Sequence, residues 1–234
     1  MPAAKPVLML LPGLMCDAAV WADQAAVFGA DHEVLVPNFS GLDSFDAMAG
    51  AALALTDKPF ALAGHSMGGR VAMHLTDLAP ERILRVALLD TGAHLPTPKE
   101  VESRQALMDI ADAKGIDALI QAWLPPMIAP HRLDDKVLWD TIAAMQRRAG
   151  VETYRGQVRA LLARPDGFAE LDRIKVPTAF ITGRLDGWSP PEQHAEMQAH
   201  VPGSTLTVIE DCGHMAPMEA PAAINQALQQ WLNQ

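Results

Sequence analysis

The 234-residue chain predicts an α/β fold, with a mainly parallel sheet flanked by helices and one inserted helical segment. Three observations carry that prediction. Short, nearly continuous apolar runs have the character of strands buried on both faces. The stretches between most of them have helical periodicity, and such alternation builds a parallel sheet because each parallel pairing needs a crossover. One long stretch, from about Ala93 to Asp172, holds helical patterns only.

Taken in order, the strand runs are "VLMLL" (7–11), "EVLVP" (33–37), "FALAG" (60–64), "ILRVALLD" (83–90), "PTAFITG" (177–183) and "STLTVIE" (204–210). Between the second and third, the Ala-rich "AMAGAALAL" (47–55) predicts a helix. After Gly69, the residues Val71, Ala72, Leu75, Leu78 and Ala79 fall on one helical face until Pro80 stops the run. The helical stretch after the fourth run is interrupted by Pro96, Pro98, Pro125-Pro126, Pro130 and Pro165. It is too long for an ordinary connection. It predicts a helical lid over 93–172, inserted into a core domain made of 1–92 and 173–234. "SPPE" (189–192) predicts a helix start, with Ser189 as cap, Pro190 at the first helical position and Glu192 completing a capping box. The final helix is predicted from about Met218, with Ala220, Ile224, Leu228 and Trp231 along one stripe.

Composition narrows the function. Half the residues are apolar and a fifth are charged, which suits a packed core and excludes a disordered chain. A formal net charge of −10, with only scattered basic pairs such as Arg147-Arg148, argues against a nucleic-acid partner. The first apolar run is too short for a signal-peptide core and no stretch approaches twenty apolar residues. The expectation is a soluble, cytoplasmic protein with no membrane partner. Cys16 and Cys212 are far apart in sequence and are expected as free, buried thiols. The eight histidines show no ligand spacing and thiols are too few for a zinc site, so no metal is expected.

The chemistry centres on "ALAGHSMGGR" (61–70). Gly-x-Ser-x-Gly is a loose pattern by itself, but here Ser66 follows a strand run and precedes an amphipathic helix. A sharp strand-to-helix turn strains the serine and brings neighbouring chains close to Gly64 and Gly68, where only small residues fit. The helix that follows aims its first amides at an anion formed there. A hydroxyl needs a base, and His214 in "EDCGHMAP" lies just after the last strand run, at the carboxyl edge where open α/β sheets assemble their sites. The base needs a carboxylate. Asp186 in "GRLDGWSP" occupies the loop after the fifth run; Asp90, ending "VALLD", competes for the role. Asp186 is preferred, since it gives the order Ser…Asp…His. An oxyanion requires two backbone donors: the Met67 amide, and one from the loop "LPGLMCD", where Leu14 is chosen and Met15 is the alternative.

Together these residues resemble the α/β-hydrolase superfamily over essentially the whole chain. The resemblance rests on the elbow at 64–68, Gly183-x-x-Asp186, Gly213-His214 before a Pro-containing final helix, and the loop at 12–15. It implies an α/β-hydrolase fold with about six strands and no cofactor. Pro12-Gly13 replaces the His-Gly with which many members begin the oxyanion loop. Among members, the chain is similar to small, lidded bacterial carboxylesterases, enol-lactone hydrolases and carbon–carbon bond hydrolases. The expected activity is cleavage of carboxylic esters of small, largely apolar substrates through an acyl-enzyme. Lactone or carbon–carbon hydrolysis, or acyl transfer, would use the same triad, and a non-catalytic ligand-binding protein is the remaining alternative. Candidate pocket residues are Trp123, Leu124, Met127, Ile128 and Trp139 from the lid, with Trp188 beside the acid. The substrate and the oligomeric state are not legible in the sequence.

Overall fold

All six apolar runs are strands. The computed structural model describes residues 4–234. The strands are β1 (Val7–Leu11), β2 (Glu33–Leu35), β3 (Phe60–His65), β4 (Ile83–Leu89), β5 (Thr178–Gly183) and β6 (Thr205–Ile209). They form one sheet, every pairing parallel, in the order β2-β1-β3-β4-β5-β6. β1, β3 and β5 are buried along their whole length, whereas β2 and β6, at the edges, are partly exposed. That division explains the unbroken apolar character of the central runs.

From β1, one strand in from an edge, the chain steps outward to β2, then returns past β1 to β3 and runs to the other edge. The strand order therefore reverses between β1 and β3, and a crevice at the carboxyl ends of those strands is where such sheets bind ligands. Helices cover both faces: α1 (Ala22–Phe28), α2 (Phe45–Leu53), α3 (Met67–Leu78), α4 (Pro98–Trp123), α5 (Lys136–Leu162), α6 (Gly167–Leu171), α7 (Pro191–Ala199), α8 (Ala216–Glu219) and α9 (Pro221–Leu232). Amphipathic α3 buries Val71, Ala72 and Leu75 against the sheet, and α9 buries Ile224, Leu228 and Trp231. Among the described residues no helix is long and apolar enough to cross a membrane.

Three local expectations are corrected. Leu78, placed on the apolar face of α3, is exposed, because it falls at the last turn, beyond the sheet's cover. Ser189 does not cap α7: the helix starts at Pro191 with Pro190 in the cap position, and the Ser189 amide instead donates to Asp186. The final helix starts at Pro221 rather than Met218, since the chain breaks helical geometry at Ala220 (φ −134°, ψ 55°) and leaves the one-turn α8 before it.

Residues 93–172 contain α4, α5, α6 and two short 3-10 turns, and no strand. α4 and α5 pack together, cross-linked by the ion pairs Arg147–Asp117 (2.6 Å) and Arg155–Asp112. At their base Arg164 grips both oxygens of Glu100 (2.8 and 2.5 Å). Each long helix is interrupted by one glycine, Gly115 in α4 and Gly150 in α5. α6 packs on α3. Cys16 and Cys212 are both free and buried.

Candidate active site

Among the described residues, four non-glycine residues adopt positive φ, and each lies in a loop that follows a strand: Met15 (57°) after β1, Ser66 (54°) after β3, Asp90 (46°) after β4 and Asp211 (54°) after β6. Strain of this kind persists only where the surrounding structure imposes it, and it marks functional edges of a fold. Here all four sit at the carboxyl edge of the sheet.

Ser66 is the hinge between β3 and α3, with ψ −116°. Glycines make the turn possible. A Cβ on Gly64 would lie 2.3 Å from the Gly68 carbonyl oxygen, and one on Gly68 would lie 2.3 Å from the carbonyl oxygen of Leu11. The close approach at Gly68 seats the start of α3 against the loop after β1. The Met67 amide, first in its helix, has no carbonyl one turn back to accept it. In the facing loop the Cys16 amide donates to Gly13 O (3.1 Å) and the Met15 amide to Gln157 Oε1 (2.7 Å), with Leu14 between Gly13 and Met15. Met15, the alternative oxyanion donor, is thus already engaged.

The loops after β5 and β6 touch: a Cβ on Gly183 would lie 2.3 Å from Gly213 O and 2.4 Å from Cys212 O. That contact brings Asp186 and His214 together. Asp186 Oδ2 is 2.8 Å from His214 Nδ1, and His214 Nε2 is 2.8 Å from Ser66 Oγ. A carboxylate only accepts, so the imidazole proton sits on Nδ1 and the Nε2 lone pair faces the serine hydroxyl. The other Asp186 oxygen accepts the amides of Trp188 (2.8 Å) and Ser189 (2.9 Å). Burial alone would raise the Asp186 pKa. The charge and hydrogen bond of His214, with the two amides, overcome it and hold the carboxyl at about 2.

Several side chains support this array, and sequence reading had not singled them out for it. His65, buried beside the nucleophile, donates from Nε2 to the His214 carbonyl (2.8 Å). Burial and the nearby His214 lower its pKa to about 3, so it is a neutral strut. Glu219 accepts the amides on either side of His214, from Gly213 (3.2 Å) and Met215 (3.0 Å), and that of Ala129 (2.8 Å). The His214 amide donates to Met127 O (2.8 Å). The histidine loop is therefore pinned to the segment after α4. A glutamate five residues past the candidate base was the visible signal for Glu219; backbone acceptors such as Met127 O leave none.

Of the predicted pocket residues, Trp188 lies with its ring 5.2 Å from that of His214, and Trp123 stacks 5.7 Å from Trp188. Leu124, Met127 and Ile128 are buried. Trp139 does not join them: it lines a surface cleft with Gln121, Leu133, Asp134, Lys136 and Asp140. Burial pushes the Cys16 thiol up to about 12 and also raises Cys212, which keeps both protonated.

A serine at the head of a helix, bonded to an imidazole that is itself oriented by a buried carboxylate, can pass its proton to that imidazole and attack an acyl carbon. The same fold recurs in known proteins. The sequence profile of the alpha/beta hydrolase family matches residues 8–227, and the chain belongs to that family. Similar relatives include a protein of Pseudomonas savastanoi pv. phaseolicola named provisionally as a carbamate hydrolase, 28% identical over 99% of this chain and 95% of its own. Another is the (E)-2-((N-methylformamido)methylene)succinate hydrolase of Acinetobacter baylyi, 26% identical over 96% of this chain and 89% of its own. Among solved structures, the enol-lactonase of Burkholderia xenovorans superposes with a TM-score of 0.90 at 26% identity, covering 99% of this chain and 93% of that one. These names agree on hydrolysis and differ in the bond cleaved, so hydrolase activity is the level at which they agree.

Proposed function

We propose that this hydrolase is a serine esterase that cleaves carboxylic esters of small, largely apolar molecules through an acyl-enzyme. The observation that carries the reading is the unbroken chain Ser66 Oγ–His214 Nε2 and His214 Nδ1–Asp186 Oδ2, each link 2.8 Å. Ser66 attacks the ester carbonyl as His214 takes its proton, and Asp186 stabilises the imidazolium. The amides of Met67 and Leu14 hold the oxyanion, each such donor supplying about 3–4 kcal/mol. His214 then gives its proton to the departing alcohol. Water, deprotonated by the same imidazole, releases the acid and restores the serine. Segment 93–172 acts as a lid, with Trp123 packed on Trp188 as an apolar wall beside the imidazole.

Turnover of p-nitrophenyl esters tests this. Ser66→Ala and His214→Ala are each expected to lower kcat by about four to six orders of magnitude. A loss below about tenfold in either would remove that residue from the reaction. A second reading, in which the scissile bond lies in an enol-lactone or is a carbon–carbon bond next to a carbonyl, draws on the similarity to the enol-lactonase. Turnover of lactones or vinylogous diketones with no ester hydrolysis would favour it.

A further inference from the structure

The carboxyl group of Asp90 is completely buried at the end of β4 and has no part in the proton path described above. Its backbone is held at φ 46° and its amide donates to Ile181 O (2.9 Å), which fixes where the side chain points. Oδ1 accepts the Gly183 amide (2.9 Å). No donor among the described residues reaches Oδ2. Gly183 joins this carboxyl group to the acid of the triad: its amide is held by Asp90 Oδ1 while its carbonyl accepts the Asp186 amide (3.2 Å), so the two aspartates meet on one residue.

Two neighbouring buried carboxyl groups, one with an oxygen that no donor reaches, are not both ionised, because each ionised form can only accept and their charges repel. One must carry a proton. Asp186 has the imidazole N–H and two amides on its oxygens, whereas Asp90 has a single amide. The ionisable groups around the pair are His214, His65, His194, Cys212 and Glu219. Burial keeps His65 and His194 neutral at neutral pH, with pKa values of about 3 and 4. Burial keeps Cys212 a thiol. Arg132 bonds Glu219 O and Asp135, and among the described residues no lysine or arginine pairs with either aspartate.

We propose that Asp90 is a neutral carboxylic acid whose O–H donates to the Asp186 carboxylate, making it a positioning residue for the triad. Burial, followed by the charge of Asp186, displaces the Asp90 pKa in the direction this requires. The hydrogen bond fixes the Asp186 carboxylate in the plane that meets Nδ1. It also lowers the basicity of that carboxylate, so the proton taken from Ser66 stays on His214. The functional consequence rests on the esterase reading; the protonation state does not.

Carboxyl-carbon NMR of wild-type protein labelled with 13C only at aspartate carboxyl carbons tests the protonation directly. One resonance, assigned through its proximity to the Gly183 amide proton, is expected to hold the protonated position from about pH 6 to 8, well above the ordinary aspartate range. An ionised signal at that site overturns the proposal, whatever the enzyme hydrolyses. The pH profile of kcat/KM tests the consequence. Asp90→Asn keeps both a donor for Asp186 and an acceptor for Gly183, and should leave the acid limb where it is. Asp90→Ala removes the donor and should move that limb up by roughly half a unit to one unit. If Asp90 were ionised, Asp90→Asn would delete a negative charge beside the imidazolium and move the limb down by about a unit or more. Loss of all turnover in Ser66→Ala belongs to the separate test of the esterase reading.

Discussion

Gln157 shows how one side chain in the helical segment reaches the reaction centre. Its Oε1 accepts the Met15 amide and its Nε2 donates to Phe39 O (3.1 Å), all in buried surroundings. Gln157→Leu fills much of the space but strands both backbone groups, and should lower stability by about 1–3 kcal/mol in chemical denaturation. Because the same loop presents the Leu14 amide, kcat should fall more than KM changes. Asp186 and Asp90 make a sharper contrast. Asp186→Asn should cost about four orders of magnitude in kcat, since an amide facing Nδ1 favours the wrong imidazole tautomer. Asp90→Asn should leave kcat close to wild type. Sequence alone ranked these two aspartates but could not separate them physically, because both lie at the same carboxyl edge, Asp90 at the end of its run and Asp186 in the loop after the next. What separates them is the approach of the loops at Gly183 and Gly213, a contact with no local signature.

At the scale of elements, the strands were legible because burial on both faces demands apolar residues without alternation, and nothing else in the chain satisfies that demand over so short a run. Helix ends were less so: Ser189 looked like a cap but is drawn into the Asp186 hydrogen bonds, a tertiary interaction that overrides local preference. The interruptions in α4 and α5 were invisible against the surrounding helical pattern. Gly115 (φ 79°, ψ −175°) and Gly150 (φ 75°, ψ 169°) occupy a region essentially reserved for glycine. Added methyl groups would meet no neighbour, so the cost of Gly115→Ala or Gly150→Ala is backbone strain, about 1–3 kcal/mol each by calorimetry or denaturant titration. His74 ties three helices together. From α3 it meets Glu170 of α6 (3.1 Å) and Asp46 of α2 (2.7 Å), and these bonds, Glu170 first, raise its pKa to about 9 despite partial burial. Its charged form is stabilised in the folded state, so this contribution is complete below the unfolded histidine value of about 6.5 and fades as pH rises through the folded value. The stability difference between wild type and His74→Gln should therefore be larger at about pH 6 than at about pH 10.

On the proposed reading, the chemistry sits where the strand order reverses and beside it: the loops after β1 and β3 would bring amides and nucleophile, and those after β5 and β6 acid and base. Acidification should abolish activity before it unfolds the site. Asp186 remains ionised down to about 2, so the loss on lowering the pH does not come from that carboxylate, and it should be reversible on return to neutral pH. A bond-specific substrate is less legible than the machinery, because the walls come from a segment whose apolar residues serve both packing and recognition; Trp139, predicted for the pocket, lines an outer cleft instead. The central claim is that one hydroxyl, among all those in the chain, is made nucleophilic by the imidazole 2.8 Å away. Intact-protein mass spectrometry after exposure to a fluorophosphonate, followed by peptide mapping, measures this directly. The account predicts a single adduct on Ser66 that is lost in His214→Ala; an unlabelled protein, or an adduct elsewhere with Ser66 unmodified, would contradict it.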